Sequence, residues 1–240
     1  MRIKIINPNT TATFTERVHV AAARIAAPGT AVVAGNPRRG TASIESHTEE
    51  VLGALGVLEQ VEAGEREGMD GYVVACFGDT GFHAAREIAR GPVVGMSEAA
   101  LYAAASLAHS FTIVTLPRRT RAHALRVLHE TGLAHRCTVR AIDVAVLDLE
   151  HEAEAMLPAL AAEARLGLEQ DGAEAVILGC AGLSELVDPL ERELGVPVID
   201  GVLVGLKMVE GLVAAGLRTS KRSTYAHVGP AFGIFRSLEP

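Results

Sequence analysis

The stretch Val73-Val74-Ala75-Cys76-Phe77-Gly78 returns later in the chain as Ile177-Leu178-Gly179-Cys180-Ala181-Gly182. In both, an apolar run typical of a buried parallel strand leads to a cysteine, and a glycine follows two residues later. Each cysteine is therefore predicted at the carboxyl end of a strand. Ligands of open parallel sheets bind at that edge, where backbone N–H groups and helix N-termini are available. Two such cysteines in one chain predict a pair that acts together.

The similarity between the two stretches extends along the chain in both directions. Three pairs of segments align in the same order: residues 3–10 with 111–118, residues 68–76 with 172–180, and residues 92–95 with 197–200. We interpret this repeat as an internal duplication, although any two α/β units share short patterns of this kind. If the halves pack about a pseudo-two-fold axis, Cys76 and Cys180 face each other across a cleft.

The repeated order of apolar runs and amphipathic stretches predicts the fold class. We expect an α/β protein with two similar, doubly wound parallel-sheet domains related by pseudo-two-fold duplication, and an active site in the cleft between them. Residues 1–97 are predicted to form the first domain and residues 98–204 the second. The segment 205–240 is expected to pack back on the first domain, and from residue 219 onward the periodicity is too weak to predict an element.

Several helix boundaries are predicted from their capping residues. Thr13 has a glutamate three residues later and so opens a capping box, and Ser97 is a predicted N-cap. Asp188 precedes a proline and is predicted to cap another helix. A single long helix is predicted over residues 150–170.

Composition narrows the class of function. The chain has 240 residues, 49% of them hydrophobic, with 4% aromatic residues, no Trp and a formal net charge of -7. No basic run and few aromatic rings are present to bind nucleic acid, so a small-molecule substrate is expected. Because neither a signal peptide nor an apolar run long enough to span a membrane is visible, we expect a cytoplasmic protein that does not bind membranes. The three cysteines are too few for a disulfide scaffold.

Two opposed cysteines suit a particular chemistry. A thiol at a strand-to-helix junction is expected to have a pKa lowered toward neutrality by N–H groups and the helix dipole. One thiolate can then remove a proton from an acidic carbon while the opposite thiol returns one, as in a two-base racemase or epimerase. Such a reaction needs neither metal nor organic cofactor, and we predict none. The N–H groups of Phe77, Gly78, Ala181 and Gly182 are expected to stabilise the carbanion's carbonyl oxygen.

Four motifs carry a family resemblance: Asn-Pro-Asn-Thr at residues 7–10, Cys-Phe-Gly-Asp-Thr-Gly at 76–81, Leu-Gly-Cys-Ala-Gly at 178–182 and Pro-Val-Ile-Asp-Gly at 197–201. The chain resembles the hydantoin racemases of the aspartate/glutamate racemase superfamily, over nearly its whole length. The resemblance implies a cofactor-independent isomerase with an interdomain site, Cys76 and Cys180 as the proton-transfer pair, and a homo-oligomer.

The residues after each cysteine favour a neutral ring as substrate. Amino-acid racemases of the superfamily hold the substrate carboxylate with hydroxyl and amide side chains at these places, where this chain has apolar residues and glycines. We therefore expect racemisation of 5-monosubstituted hydantoins. The predicted substrate contacts are Pro8, Asn9, Phe77, Gly78, Thr115, Leu116, Ala181 and Gly182, of which Thr115 and Leu116 are chosen because they match residues 7 and 8 in the duplication.

Other interpretations remain open at this point. Allantoin, a hydantoin bearing a ureido group, is the main alternative substrate; an amino-acid racemase, a maleate isomerase-like enzyme and a non-catalytic binding protein are further ones. The cysteines could also form a metal site or a redox-sensitive pair, but no metal-binding spacing accompanies them. Cys137 has no counterpart in the duplication and is expected to be incidental, in a loop before a strand. His83 is interpreted as a solvated helix residue, and Asp79 and Thr80 chiefly as caps of the helix after Cys76.

Overall fold

A computed structural model describes residues 1–227, apart from the side chains at 151 and 152. The first half contains strands β1 (Arg2–Ile6), β2 (Ala31–Gly35), β3 (Gly71–Val74) and β4 (Val93–Gly95), with helices α1 (Ala12–Ile25), α2 (His47–Glu67), α3 (Phe82–Ile88) and α4 (Met96–Leu107). The second half contains strands β5 (Phe111–Thr115), β6 (Cys137–Ala141), β7 (Ala175–Leu178) and β8 (Val198–Ile199), with helices α5 (Arg121–Glu130), α6 (Leu149–Glu152), α7 (Leu157–Gln170), α8 (Val187–Leu194) and α9 (Gly201–Ala214).

The two halves contain matching sheets. Their strand orders are β2-β1-β3-β4 and β6-β5-β7-β8, and all neighbouring strands are parallel. Ile3 pairs with Gly71 as Phe111 pairs with Ala175, which places the strand before each cysteine beside the first strand of its half. The predicted α/β fold with two similar parallel sheets is therefore confirmed.

Side-chain packing joins the halves into one structure. A single hydrophobic cluster contains strand residues of both sheets together with residues of α4 and α9. Helix α9 lies on β3, where Gly71 and Gly205 leave room for Val209 and Val73 across the contact. The domain boundary after residue 97 stays a prediction, and residues 228–240 of the segment expected to pack on the first half lie outside the described residues.

Three predicted helix starts are wrong, for different physical reasons. Helix α1 begins after Thr11, and the Thr13 hydroxyl instead donates to Glu150 at 2.9 Å. Ser97 lies inside α4 because the cap of that helix is a carboxylate from another loop, described below. Helix α8 begins at Val187, directly after a 3-10 turn that leaves Asp188 inside the helix instead of at its cap.

The single helix predicted over residues 150–170 is interrupted. Helix α6 ends at Glu152, a 3-10 turn spans Glu154–Met156, and α7 then begins with Pro158 in its first turn. Proline lacks an N–H donor and is tolerated in the first turn of a helix but not in its interior, so the helix restarts there. Within residues 1–227, no helix is both long and apolar enough to cross a membrane.

Candidate active site

Both sheets direct a cysteine toward one cavity. Cys76 follows the last residue of β3 by two positions, and Cys180 follows the last residue of β7 by the same two positions. Both cysteines line one cavity between the halves. The structure thus brings the two cysteines to one cavity, and their catalytic role stays a prediction.

Most of the predicted substrate contacts lie on the wall of this cavity. Six of the eight line it: Asn9, Phe77, Thr115, Leu116, Ala181 and Gly182. Pro8 does not line the cavity, and its carbonyl oxygen lies beside Gly56 of α2. Gly78 does not either, since its N–H donates to Ser97 Oγ at 2.7 Å and its carbonyl accepts from Arg126 at 2.8 Å. The expected role of the Gly78 N–H at a substrate oxygen is therefore corrected.

Sequence reasoning missed about half of the cavity wall. The additional lining residues are Asn7, Phe14, Val18, Ile44, Ala75, Thr120, Val146 and Gly179. Ile44 and Val146 lie in the loops that follow the outer strands β2 and β6, and the Val146 N–H donates to Glu45 Oε1 at 3.0 Å. The position of these loops at the carboxyl ends of strands is the sequence signal that indicates them.

Hydrogen bonds fix the polar part of the wall on the first-half side. Asn7 is buried, and its amide nitrogen donates to Thr15 Oγ1 at 3.1 Å and to Asn9 Oδ1 at 2.9 Å. Its Oδ1 accepts the Asn9 N–H at 3.2 Å. The Asn-Pro-Asn-Thr turn is therefore held rigidly, because each of these amide groups has a partner inside the protein.

A pair of threonines fixes the second-half side. The hydroxyls of Thr115 and Thr120 are 3.1 Å apart, and Thr115 donates to the carbonyl of Gly179 at 3.1 Å. Gly179 must be small here, since a Cβ would lie 2.5 Å from Thr115 Cβ. Gly179 thus packs directly on β5, and this contact fixes the position of Cys180, the next residue.

Burial keeps both thiols protonated at neutral pH. It raises the pKa of Cys76 to about 12, against a 3.4 Å hydrogen bond from Thr80 Oγ1 that lowers it. Burial likewise raises the pKa of Cys180 to about 11, although the Gly182 N–H stabilises its thiolate. The predicted lowering of both pKa values is wrong, because desolvation and nearby carboxylates outweigh these hydrogen-bond donors.

Two buried carboxylates cap the helices that lead away from the site. Asp79 accepts the N–H groups of Ser97 and Glu98 at 2.8 and 2.9 Å and so caps α4, not the α3 helix that follows it in sequence. Asp200 Oδ1 caps α9 by accepting the N–H of Val202 at 2.7 Å. Burial raises the pKa of Asp79 to about 7.

The remaining titratable candidates lie away from the cavity. His83 is exposed, as expected, and its Nδ1 is 2.9 Å from the Tyr225 hydroxyl. Cys137 is half-buried at the start of β6, not in the loop before it, and it does not line the cavity. Among the described residues, no charged side chain belongs to the cavity wall.

Comparison with known proteins shows the family to which this chain belongs. The family model described as Asp/Glu/Hydantoin racemase matches residues 3–209. A protein named hydantoin racemase from Pseudomonas sp. is 45% identical, over 95% of this chain and 92% of that protein. Another of that name, from Rhizobium meliloti, is 42% identical over 95% of each.

Solved structures of racemases are also similar to this chain. An allantoin racemase from Klebsiella pneumoniae superposes with a TM-score of 0.94 and is 45% identical, with 100% of this chain and 99% of that chain covered. A glutamate racemase from Francisella tularensis, at 16% identity and a TM-score of 0.65 over 91% of this chain and 84% of that chain, shares the fold. By the family match over residues 3–209 and relatives above 40% identity over nearly the full length, the chain belongs to the Asp/Glu/Hydantoin racemase family.

Proposed function

We propose that this protein racemises 5-monosubstituted hydantoins by proton transfer between Cys76 and Cys180, without a cofactor. The observation that carries the proposal is that one thiol from each sheet lines the same cavity. Membership of the racemase family and relatives named hydantoin racemase support the same reaction.

The proposed reaction needs one thiolate and one thiol. The thiolate removes the proton from the ring carbon on one face, and the electron pair is delocalised into the neighbouring ring carbonyl. The opposite thiol then gives its proton to the other face of that carbon. The product is the mirror-image ring, and the two cysteines have exchanged protonation states, so either enantiomer can be the substrate.

The developing negative charge on the ring oxygen requires hydrogen-bond donors. Among the described residues, the N–H of Phe77 has no hydrogen-bond partner within the protein, and Phe77 lines the cavity directly after Cys76. We assign to this N–H the stabilisation of the ring oxygen. The Gly182 N–H lowers the pKa of Cys180 against the effect of burial, and we assign to it the stabilisation of the thiolate that acts as the base.

The cavity wall is uncharged and partly apolar, which supports a substrate with an apolar ring substituent. A free amino acid would bring a carboxylate into a cavity whose described wall carries no charged side chain, and a buried unpaired charge is costly. Phe14, Ile44 and Val146 give the wall an apolar surface that suits an alkyl or aryl group. Allantoin is the second candidate substrate, favoured by the likeness to structures named allantoin racemase.

The test uses one enantiomer of 5-benzylhydantoin in D₂O. We expect optical rotation to decay and the stereocentre proton to disappear from the NMR spectrum, both faster than the uncatalysed background. If allantoin is racemised and 5-benzylhydantoin is not, the assignment of the two thiols stands and allantoin becomes the proposed substrate. Absence of both reactions in reduced, folded protein would contradict the proposal and support a binding protein.

Ile44→Ala should change substrate preference more than overall activity. The Ile44 side chain is buried at the cavity wall and packs against Gly53 of α2. Removing it loses about 1–2 kcal/mol of apolar contact with a large substituent, so kcat/KM for 5-benzylhydantoin should fall about tenfold. The value for 5-methylhydantoin should change less than about threefold by the same reasoning. Equal losses for both substrates would contradict contact between Ile44 and the substituent.

The reaction rate should rise with pH. An acid whose pKa is raised is less ionised at a given pH, and the pKa values of about 12 for Cys76 and about 11 for Cys180 leave few thiolates at neutrality. We expect kcat/KM, after subtraction of the uncatalysed rate, to increase by up to about tenfold per pH unit between pH 6 and 9. A profile that is flat across this range would show that a thiolate is already present at pH 6.

Thr80→Val should move that profile to higher pH. The Thr80 hydroxyl donates to Cys76 Sγ at 3.4 Å, and loss of this bond raises the pKa of Cys76 further. From pH 6 to 9 we expect kcat/KM to fall about three- to tenfold, by the same factor at each pH, because this range lies below the pKa of Cys76. Thr13→Val, which removes an exposed hydroxyl bonded to Glu150, is the matched control and should leave the profile unchanged. An unshifted profile in Thr80→Val would contradict the assignment.

We further propose that the protein is a cytoplasmic homo-oligomer. Val51, Leu52 and Leu55 on α2 are exposed apolar side chains of the kind that oligomer interfaces bury, which supports assembly. The three cysteines are free, which suits a reducing compartment. Light scattering of the purified full chain should give a mass at least twice 25.2 kDa, and a monomer mass would contradict the assembly.

A further inference from the structure

Outside the cavity, two histidines and a glutamate meet where the halves touch. His47 and Glu50 lie one turn apart on α2 of the first half, and His123 comes from α5 of the second half. The imidazole rings of His47 and His123 have centroids 4.9 Å apart. None of the three lines the cavity, and the proposed racemisation does not use them.

The spacing of their polar atoms resembles a coordination shell. Glu50 Oε2 is 3.4 Å from His47 Nδ1 and 3.6 Å from His123 Nε2, and all three ligand atoms lie within 4.8 Å of one another. A strong hydrogen bond to a carboxylate is shorter, at about 2.8 Å. Around a tetrahedral ion with bonds of about 2.0–2.2 Å, neighbouring ligand atoms are separated by about 3.4 Å. The two distances from Glu50 Oε2 therefore match the spacing of ligands around a shared ion.

Arg126 is the other partner of Glu50 and contacts both of its carboxylate oxygens. Its guanidinium bonds to Glu50 Oε1 and also donates to the Gly78 carbonyl at 2.8 Å, while a second nitrogen is 3.1 Å from Oε2. Two of these contacts can persist when Oε2 binds an ion. Arg126 would then hold the carboxylate in place, as groups behind metal ligands commonly do.

We propose that His47, Glu50 and His123 bind one divalent ion of the zinc class, such as Zn²⁺, Co²⁺ or Ni²⁺. Two imidazoles and one carboxylate are a donor set that such ions prefer. Water completes the shell, because the His47 side chain is 74% exposed whereas that of His123 is 4% exposed. The ion joins α2 to α5 beside Gly78, two residues after Cys76, and so links the two halves next to the cavity.

The test titrates Co²⁺ into the full chain carrying Cys76→Ser and Cys180→Ser, because thiolates also bind this ion. We expect one equivalent to give the visible absorption of tetrahedral Co²⁺ without a thiolate charge-transfer band, and a higher Tm, since the ion binds the folded state. In the same background, His47→Ala should weaken binding at least about 30-fold. His135→Ala, which removes another exposed histidine, should change it less than about twofold.

Zn²⁺ competition by calorimetry provides the second measurement. Zn²⁺ should displace the Co²⁺ signal with one-to-one stoichiometry in the background variant and in His135→Ala. Equal affinity in the His47→Ala and His135→Ala variants, or a thiolate band on Co²⁺ addition, would overturn the proposal. His47 is exposed, so its replacement should leave the fold intact, which circular dichroism checks.

Discussion

Cys76→Ser should racemise 5-benzylhydantoin at least about 1000-fold more slowly than the unaltered chain, and Cys180→Ser should do the same. A serine hydroxyl fills nearly the same space but is far too weak an acid to exchange roles with a thiolate. Because racemisation in either direction uses both groups, neither variant should retain it. Cys137→Ser is the matched control and should keep full activity, since Cys137 lies away from the cavity.

The two variants should differ in a second measurement. With one thiol left, the remaining thiolate can still remove the proton from the enantiomer that presents it and return a deuteron to the same face. In D₂O we therefore expect slow exchange without racemisation, for one enantiomer with Cys76→Ser and for the other with Cys180→Ser. Racemisation preserved in either variant, or exchange of the same enantiomer in both, would contradict a mechanism with one base on each face.

Gly201→Ala should destabilise the protein by about 3 kcal/mol, because its Cβ would overlap main-chain atoms that cannot move aside. That Cβ would lie 2.0 Å from the carbonyl oxygen of Met96, at the point where the first residues of α4 and α9 meet. For a chain of this length such a loss lowers Tm by roughly 6–12 °C.

Gly211→Ala provides a control in the same helix. No atom of a neighbouring element lies within 4 Å of the position that a Cβ on Gly211 would take, so the added methyl group enters open space. Alanine favours the helix more than glycine does, and stability should rise by about 0.5–1 kcal/mol. Thermal and urea unfolding of the two variants should therefore move in opposite directions. Equal midpoints would contradict a close contact between α4 and α9 at Gly201.

The fold was predictable because the two strand-cysteine stretches indicate both the type of strand and the repetition of the sheet. Their apolar runs predict buried parallel strands, and their repetition predicts a second sheet with the same strand order, as β1 and β3 match β5 and β7. The position of Cys76 and Cys180 at one cavity follows from the same repeat. Local periodicity and symmetry were sufficient for these features.

Features that depend on contacts between distant segments were not predictable in this way. Ile44 and Val146 reach the cavity from loops without periodicity, and their loops meet through Glu45. The pKa of Cys76 depends on how completely the cleft excludes water, and the sequence around it contains no measure of that burial. His123 meets Glu50 only because the halves pack together, so no spacing of ligands in the sequence indicates the cluster.

Helices α4 and α9 are both capped by a carboxylate, but the carboxylate comes from a different position in each half of the chain. In the repeat, Gly95 corresponds to Asp200, and each stands directly before its helix, α4 or α9. Asp200 caps α9 with its own side chain, whereas Gly95 leaves a space that the Asp79 carboxylate fills: a Cβ there would lie 2.1 Å from Asp79 Cγ. A capping carboxylate can therefore come from outside its own helix where a glycine leaves the space for it.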